Sequence, residues 1–173
     1  MKHFFTLALF FLSFSTFSQA DLYLTIESAP SVFVPDNTVY RFYVNMTDPS
    51  DRMSIVYGDN QSPLEINTPE GVFNSPYNSS WSASNLNPAF FGFFPDMVDD
   101  TYATIGLDGP ASDSGIADAE DPYLVEDSGQ AITPYFLTDG ATSLLANTST
   151  GAAWYVQSTA GNGLLDANLR VIV

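Results

Sequence analysis

Short runs of alternating residues, each ended by turn-forming residues, are the feature that most constrains the fold of this chain. In segment 38–46 (TVYRFYVNM), Val39 and Tyr43 lie on one face of an extended strand, and Tyr40 and Val44 lie on the other. A period of two residues is typical of a half-buried strand. No helical period persists for three turns anywhere in the sequence.

Similar strand signals recur along the chain, in segments 22–26, 38–46, 53–57, 64–67, 71–73, 89–94, 101–107, 132–137, 143–146, 153–157 and 169–173. Many short strands separated by turns predict an all-β fold, an antiparallel β-sandwich of the Ig-like or jelly-roll-like kind. We interpret the continuous apolar run 89–94 (AFFGFF) as a buried strand. Segment 108–129 is rich in Asp, Gly, Ala and Ser, and it predicts a long acidic loop with one helical turn near 117–121.

The first 20 residues predict a secretory signal peptide. Lys2 and His3 precede an apolar run that continues to Phe17, and small residues stand before the predicted cleavage point after Ala20. A membrane anchor is the alternative, but a span needs about 20 apolar residues and this run is shorter. We expect residues 21–173 to be a single exported domain, soluble or attached to the cell surface. It ends within an apolar strand, which predicts truncation at the C-terminal end.

Composition excludes most familiar catalytic sites. The sequence has no Cys, and its one His and one Lys both lie in the predicted signal peptide, so residues 21–173 keep all 20 acidic residues against three arginines. This removes Ser-His-Asp relays, thiolate nucleophiles, Schiff-base lysines and His/Cys metal sites. The net charge of −16 disfavours nucleic acid as a partner. With no disulfide available, stability depends on a buried core.

Ten of the 20 acidic residues fall between Asp96 and Asp127, and no Lys, Arg or His occurs from 53 to 169. Oxygen ligands along a loop suit Ca²⁺, which is the one cofactor that the sequence suggests. Our candidate ligands are Asp108, Asp113, Asp118 and Asp121. The alternative is a solvated acidic loop that holds no ion. Arg41, on an alternating strand among these acids, is expected to form a structural ion pair.

Two aromatic residues are candidate ligand-binding residues. Trp81 lies in a polar loop close to Tyr77, where it could stack on a sugar ring or on a partner surface. The alternative is a Trp81 folded back over the edge of the core. Trp154, in a strand signal, is expected to be core.

Several segments resemble an uncharacterised module of secreted, multidomain marine bacterial proteins, often from Bacteroidetes and often carrying a type IX sorting domain. The similar segments are 40–44 (YRFYV), 87–90 (NPAF), 100–108 (DTYATIGLD), 154–155 (WY) and 161–163 (GNG). The resemblance implies an extracellular module that usually continues further, and it carries no catalytic residues.

These observations predict a non-catalytic extracellular β-sandwich module with a role in adhesion, glycan binding or architecture. Its expected partners are glycans or other extracellular proteins. The alternative function is a carboxylate-dependent glycoside hydrolase, which would need two carboxyl groups about 5–10 Å apart across the scissile bond. Spacing along the sequence cannot identify such a pair among so many acids.

Overall fold

The computed structural model describes residues 22–173, so the predicted signal peptide lies outside the described residues. Within this range the chain forms eight strands: β1 (Tyr23–Pro30), β2 (Thr38–Asn45), β3 (Ile55–Gly58), β4 (Leu64–Asn67), β5 (Tyr123–Glu126), β6 (Ser143–Ala146), β7 (Ala152–Tyr155) and β8 (Arg170–Ile172). One α-helix, α1 (Thr133–Leu137), and five 3₁₀ helices complete this range: Ala83–Asn85, Pro88–Phe90, Pro95–Asp99, Ala111–Asp113 and Gly161–Gly163.

The strands pair in small antiparallel sheets. Within residues 22–173 the strand orders are β1-β2-β8, β3-β7-β5 and β4-β6. The prediction of an all-β fold with antiparallel sheets is therefore confirmed, while the sandwich arrangement stays a prediction. The part of the chain that the structure describes contains no helix long and apolar enough to cross a bilayer.

The main core surrounds Trp154 on β7. Its indole ring is 4% exposed, packs edge-on against Phe136 with the ring centroids 6.1 Å apart, and donates its Nε1–H to the carbonyl of Thr104. Trp154 is core, as the sequence predicted. Ile105 and Leu144 are among the most deeply buried side chains of the same cluster.

The predicted strand 89–94 is wrong. Asn87 accepts the backbone N–H of Ala89, Pro88 begins the 3₁₀ helix Pro88–Phe90, and a turn follows. Phe93 is 79% exposed, so the apolar run is not a buried strand. An Asn cap followed by Pro is a helix-start signal, and it outweighs the apolar composition of the run.

The predicted strand 132–137 is also wrong, because most of it forms the helix α1. The carboxylate of Glu126 accepts the backbone N–H groups of Ile132 and Thr133 and the hydroxyl of Thr133. Pro134 then lies in the first turn, where a helix tolerates it. A side chain six residues upstream therefore satisfies the first donors of this helix.

Segment 101–107 is not a strand, although its sequence alternates. Ala103 makes a single parallel bridge with Ser82, and Ala103, Thr104 and Ile105 are buried in succession. Gly106 has a φ of +71°, which turns the chain away from an extended path. Segment 71–73, another predicted strand, has no regular strand either.

The predicted loop 108–129 contains more structure than its composition indicates. The 3₁₀ helix Ala111–Asp113 lies near its start, ahead of the predicted turn at 117–121, and β5 lies near its end. Strand β5 pairs with β7 over four residues, and the rings of Tyr123 and Tyr155 lie 5.5 Å apart. The acidic segment is therefore partly incorporated into a sheet.

Gly106 packs against the buried Asn162, so we expect a substitution there to destabilise the fold. A Cβ at position 106 would collide with the Asn162 carbonyl oxygen, and the positive φ adds strain. Gly106→Ala should lower the free energy of unfolding by roughly 3 kcal/mol or more in urea denaturation. Gly92, where a Cβ meets nothing within 4 Å, is the matched control. Equal losses in Gly106→Ala and Gly92→Ala would contradict this packing argument.

Candidate functional site

A groove of about 420 Å³ opens beside the 3₁₀ helices that follow β4. We call it the Tyr77 groove. It is lined by nine residues: Tyr77, Ser84, Asn85, Asn87, Phe90, Phe94, Met97, Pro110 and Ser112. None of these nine side chains carries a charge, although acidic residues dominate the charge of the sequence.

Two stacked aromatic rings form one side of the Tyr77 groove. The rings of Tyr77 and Phe94 have their centroids 4.2 Å apart and an interplanar angle of 25°. Tyr77 is 57% exposed, whereas Phe94 is half-buried against a small core of Ala83, Leu86 and Met97. The stack therefore presents an aromatic face to solvent on a support that is itself packed.

The remaining polar lining consists of amide and hydroxyl groups. The Asn87 Oδ1 atom accepts the N–H of Ala89, and Asn85 Nδ2 donates to Ser79 Oγ. These local contacts hold the two amide side chains at the groove. Neutral donors and acceptors beside an aromatic face suit an uncharged ligand that has both hydroxyl groups and C–H faces.

The loop that carries Tyr77 is held by two carboxylates, of which Asp100 is buried and Asp96 half-buried. The backbone N–H of Ser75 donates to Asp100 Oδ1, and Asn78 Nδ2 donates to Asp100 Oδ2, both at 2.6 Å. Ser75 Oγ donates to Asp96 Oδ2 at 3.0 Å. Asp96 lies in the 3₁₀ helix Pro95–Asp99 and Asp100 directly follows it, so one short element fixes the Tyr77 loop.

Asp100 has an unusual ionisation. Burial raises the pKa of its carboxyl to about 6, against the lowering effect of its hydrogen bonds with Asn78, Ser75 and Thr101. Because the folded chain binds this proton more tightly than the unfolded chain, the stability that Asp100 contributes is complete below pH 3.8. It is lost as the pH rises through about 6.

The pKa of Asp99 is lowered, not raised, and its carboxylate binds a different segment. Its carboxylate accepts the backbone N–H groups of Val32, Phe33 and Val34 and the hydroxyl of Ser31. Burial would raise the pKa of Asp99, but these four hydrogen bonds hold it below its usual value. Asp99 thus fixes the segment after β1, while Asp100 fixes the Tyr77 loop.

The two predicted ligand-binding residues lie in different surroundings. Tyr77 lines the groove, whereas Trp81 is half-buried and packs against the main core. The carbonyl of Trp81 accepts the N–H of Ala103. Trp81 is thus folded over the core edge, the alternative that the sequence left open.

The four candidate calcium ligands, Asp108, Asp113, Asp118 and Asp121, are all exposed. Asp121 Oδ1 accepts the N–H of Ala111, and Asp113 Oδ1 accepts the hydroxyl of Ser112. Within residues 22–173 no three His, Cys, Asp or Glu side chains are grouped closely enough to hold a metal ion. The structure does not bring the four carboxylates together, and calcium binding stays a prediction.

A second cavity, of about 350 Å³, contains two acids, Asp108 and Asp166. Asp108 lies 4.0 Å from Arg41, an exposed pair that matches the ion pair expected for Arg41. Asp166 is paired with Arg170, whose guanidinium also pairs with Glu27. Burial alone would raise the pKa of Asp166. Hydrogen bonds from Asn168 and Arg170 stabilise its charged form and hold the pKa below its usual value.

Comparison with protein-family models, with curated proteins and with solved structures gives no match for this chain. The resemblance to secreted marine bacterial modules therefore stays a prediction.

Sequence reasoning missed most of the groove. The sequence predicts Phe94 in a buried strand, and it marks Asn87 only as part of the segment 87–90 that carries the resemblance. The Asn87-Pro88 pair could have indicated the helix start that exposes this region. Asp100 gave no local signal, because its burial depends on contacts with residues 22 and more positions earlier in the chain.

The calcium prediction can be tested by thermal unfolding. A ligand that binds only the folded state at 100 times its dissociation constant stabilises it by about 2.7 kcal/mol. If the four aspartates hold Ca²⁺, millimolar Ca²⁺ should raise Tm by roughly 5–10 °C over excess chelator. Asp108→Asn combined with Asp121→Asn should abolish the shift, and Glu70→Gln, at an exposed site, should keep it. Identical melting with Ca²⁺ and chelator would mean that the acidic segment is a solvated loop.

Proposed function

We propose that this chain is a non-catalytic extracellular module that binds a neutral glycan in the Tyr77 groove. The observation that carries the proposal is the stacked pair of Tyr77 and Phe94, which faces solvent beside uncharged amide and hydroxyl groups. An adhesive or architectural role in a larger secreted protein would follow from glycan binding of this kind.

The aromatic pair supports a sugar as the ligand. A pyranose ring with equatorial hydroxyl groups presents C–H groups on its faces, and these pack against an aromatic face while the hydroxyl groups meet polar side chains at the ring edge. Tyr77 supplies the face, and Ser84, Asn85 and Asn87 supply donors and acceptors around it.

The distribution of positive charge supports a neutral rather than an anionic glycan. None of the three arginines in residues 22–173 lines the Tyr77 groove. Arg52 donates to the carbonyls of Ser158 and Ala160, and Arg41 and Arg170 pair with acids around the second cavity. A sulfated or uronic acid chain would find no counter-charge, and the acidic protein would repel it.

The sequence supports an extracellular location. The predicted signal peptide directs export, and a domain without Cys folds independently of redox conditions.

The hydrolase alternative has less support. The Tyr77 groove has no carboxyl group in its lining. Within residues 22–173 the one carboxyl with a strongly raised pKa is that of Asp100, which is buried and does not line the groove. A glycosidase needs an acid with a raised pKa at the scissile bond. The second cavity has two acids, but the pKa of Asp166 is lowered, which suits a structural ion pair better than a proton donor.

We expect Tyr77→Ala to weaken glycan binding at least about tenfold, because the stacking surface is lost. The measurement is isothermal titration calorimetry with hexasaccharides of β-1,3-glucan, β-1,4-glucan and β-1,4-mannan. Tyr57→Ala is the matched control, since Tyr57 is also 57% exposed but lies on β3, outside the groove. Tyr77→Phe should retain most of the affinity. If Tyr57→Ala and Tyr77→Ala reduce the affinity equally, the ligand binds outside the Tyr77 groove.

We also expect no release of reducing sugar from these hexasaccharides or from algal polysaccharides. The non-catalytic function requires a signal equal to the blank. A signal above the blank that Asp108→Asn or Asp166→Asn removes, and that Tyr77→Ala preserves, would favour a hydrolase with its site in the second cavity.

A further inference from the structure

The segment 90–94 (FFGFF) contributes a second exposed aromatic ring to the lining of the Tyr77 groove. Phe91 and Phe94 are half-buried and pack against the small core described above. Phe90 and Phe93 are 51% and 79% exposed, and of these two only Phe90 lines the groove. An exposed Phe ring costs free energy that contact with a ligand would recover, so the exposure of Phe90 inside a groove needs a functional explanation.

Phe90 is held by the same turn that supports Tyr77. The Phe90 N–H donates to the carbonyl of Asn87 at 3.0 Å, and the Phe90 carbonyl accepts the N–H of Phe94 at 2.9 Å. Phe94 is also the ring on which Tyr77 stacks, with the centroids 4.2 Å apart. One short element therefore positions both exposed rings of the groove before a ligand binds, which lowers the cost of ordering them.

We propose that Phe90 is a second stacking residue, so that the Tyr77 groove binds two consecutive sugar units of a neutral glycan, one on Tyr77 and the next on Phe90. This inference rests on the proposed function, because it specifies the ligand of the same site. The smallest unit that fills the groove is then a disaccharide within a longer chain, rather than a single sugar.

The size and the polar lining of the groove support two sugar units. Its volume of about 420 Å³ lies in the lower part of the range for small-molecule sites, about 300–1,000 Å³, which suits a disaccharide better than a long oligosaccharide. The side chains that would bind sugar hydroxyl groups, Ser84, Asn85 and Asn87, lie between Tyr77 and Phe90 in the chain. Both aromatic residues are therefore accompanied by neutral donors and acceptors.

The charge of the surrounding segment supports a neutral sugar at both positions. No charged residue occurs from 71 to 95, the segment that contains Tyr77 and Phe90. The other lining residues, Met97, Pro110 and Ser112, are uncharged as well. An acidic sugar at either position would lose hydration without gaining a counter-charge from the lining.

The dependence of affinity on chain length tests this proposal, in NMR chemical-shift titrations that also measure weak binding. The ligands are the methyl glycoside, the disaccharide and the hexasaccharide of the glycan that the wild type binds most tightly. The disaccharide should bind about tenfold more tightly than the methyl glycoside, because its second ring gains an aromatic contact. The hexasaccharide should exceed the disaccharide by at most about fivefold, the number of overlapping disaccharide pairs that it offers.

Phe90→Ala should remove this length dependence. Its affinity for the methyl glycoside should equal that of the wild type, because Tyr77 is intact, and the disaccharide should bind within about twofold of the methyl glycoside. Phe93→Ala is the matched control, since it removes a more exposed ring from the same turn but from outside the groove lining, and it should keep the wild-type dependence. Phe90→Tyr keeps an aromatic face and should keep the dependence too. The wild-type length series needs no variant, so it decides the outcome even if Phe90→Ala folds poorly.

Three results would overturn the second stacking residue and leave the proposed function standing. They are a wild type that binds the disaccharide no more tightly than the methyl glycoside, a Phe90→Ala variant that loses the same factor for both ligands, and equal losses in Phe90→Ala and Phe93→Ala. In each case Tyr77-dependent binding of a sugar would remain. If none of the saccharides binds the wild type, the proposed function and the second stacking residue are both wrong.

Discussion

The structure depends on carboxylates that are satisfied by N–H and O–H donors rather than by cations. The three arginines of residues 22–173 cannot neutralise the 19 acids of the same range, so many of the acids serve instead as acceptors for irregular backbone. Asp99 accepts three consecutive backbone N–H groups, and Glu126 accepts those of Ile132 and Thr133 at the start of α1. Asp59 does the same for the turn after β3. Such bonds to a charged acceptor are among the stronger hydrogen bonds in proteins.

This use of carboxylates explains how the long connections between the short strands stay ordered. Backbone groups outside a sheet still need partners, and a buried loop without them is unstable. The buried Asn162 shows the same solution with an amide: it donates to the carbonyls of Ile105 and Glu120 and accepts the N–H of Glu120. The 161–163 segment therefore fastens the acidic segment to the core.

The sequence predicted the parts of the fold that depend on local periodicity. Strands β2, β4 and β6 lie where the alternating pattern indicates, and Trp154 is buried as expected. The errors at 89–94 and 132–137 have one physical cause. In both segments a side chain caps the first turn, and composition does not reveal whether a cap outweighs the extended tendency of an apolar run.

The candidate site could be predicted only in part, for a related reason. The sequence predicts Tyr77 as a candidate because it lies close to Trp81 in a polar loop, but it predicts the stacking partner Phe94 in a buried strand. The importance of Asp100 depends on burial and on donors from Ser75 and Asn78, which only the folded chain brings to it. One acid among ten in segment 96–127 has no local pattern that marks it.

The groove and the main core also differ in what stabilises them. Tyr77 and Phe94 pack on the small cluster of Ala83, Leu86 and Met97, which is separate from the main cluster around Trp154. Regions with few buried apolar contacts open at lower free energy than a core sheet. The shape of the Tyr77 groove therefore depends more on the hydrogen bonds of Asp96 and Asp100 than on apolar burial. A change in one carboxyl group can alter this surface while the sheets around Trp154 stay intact.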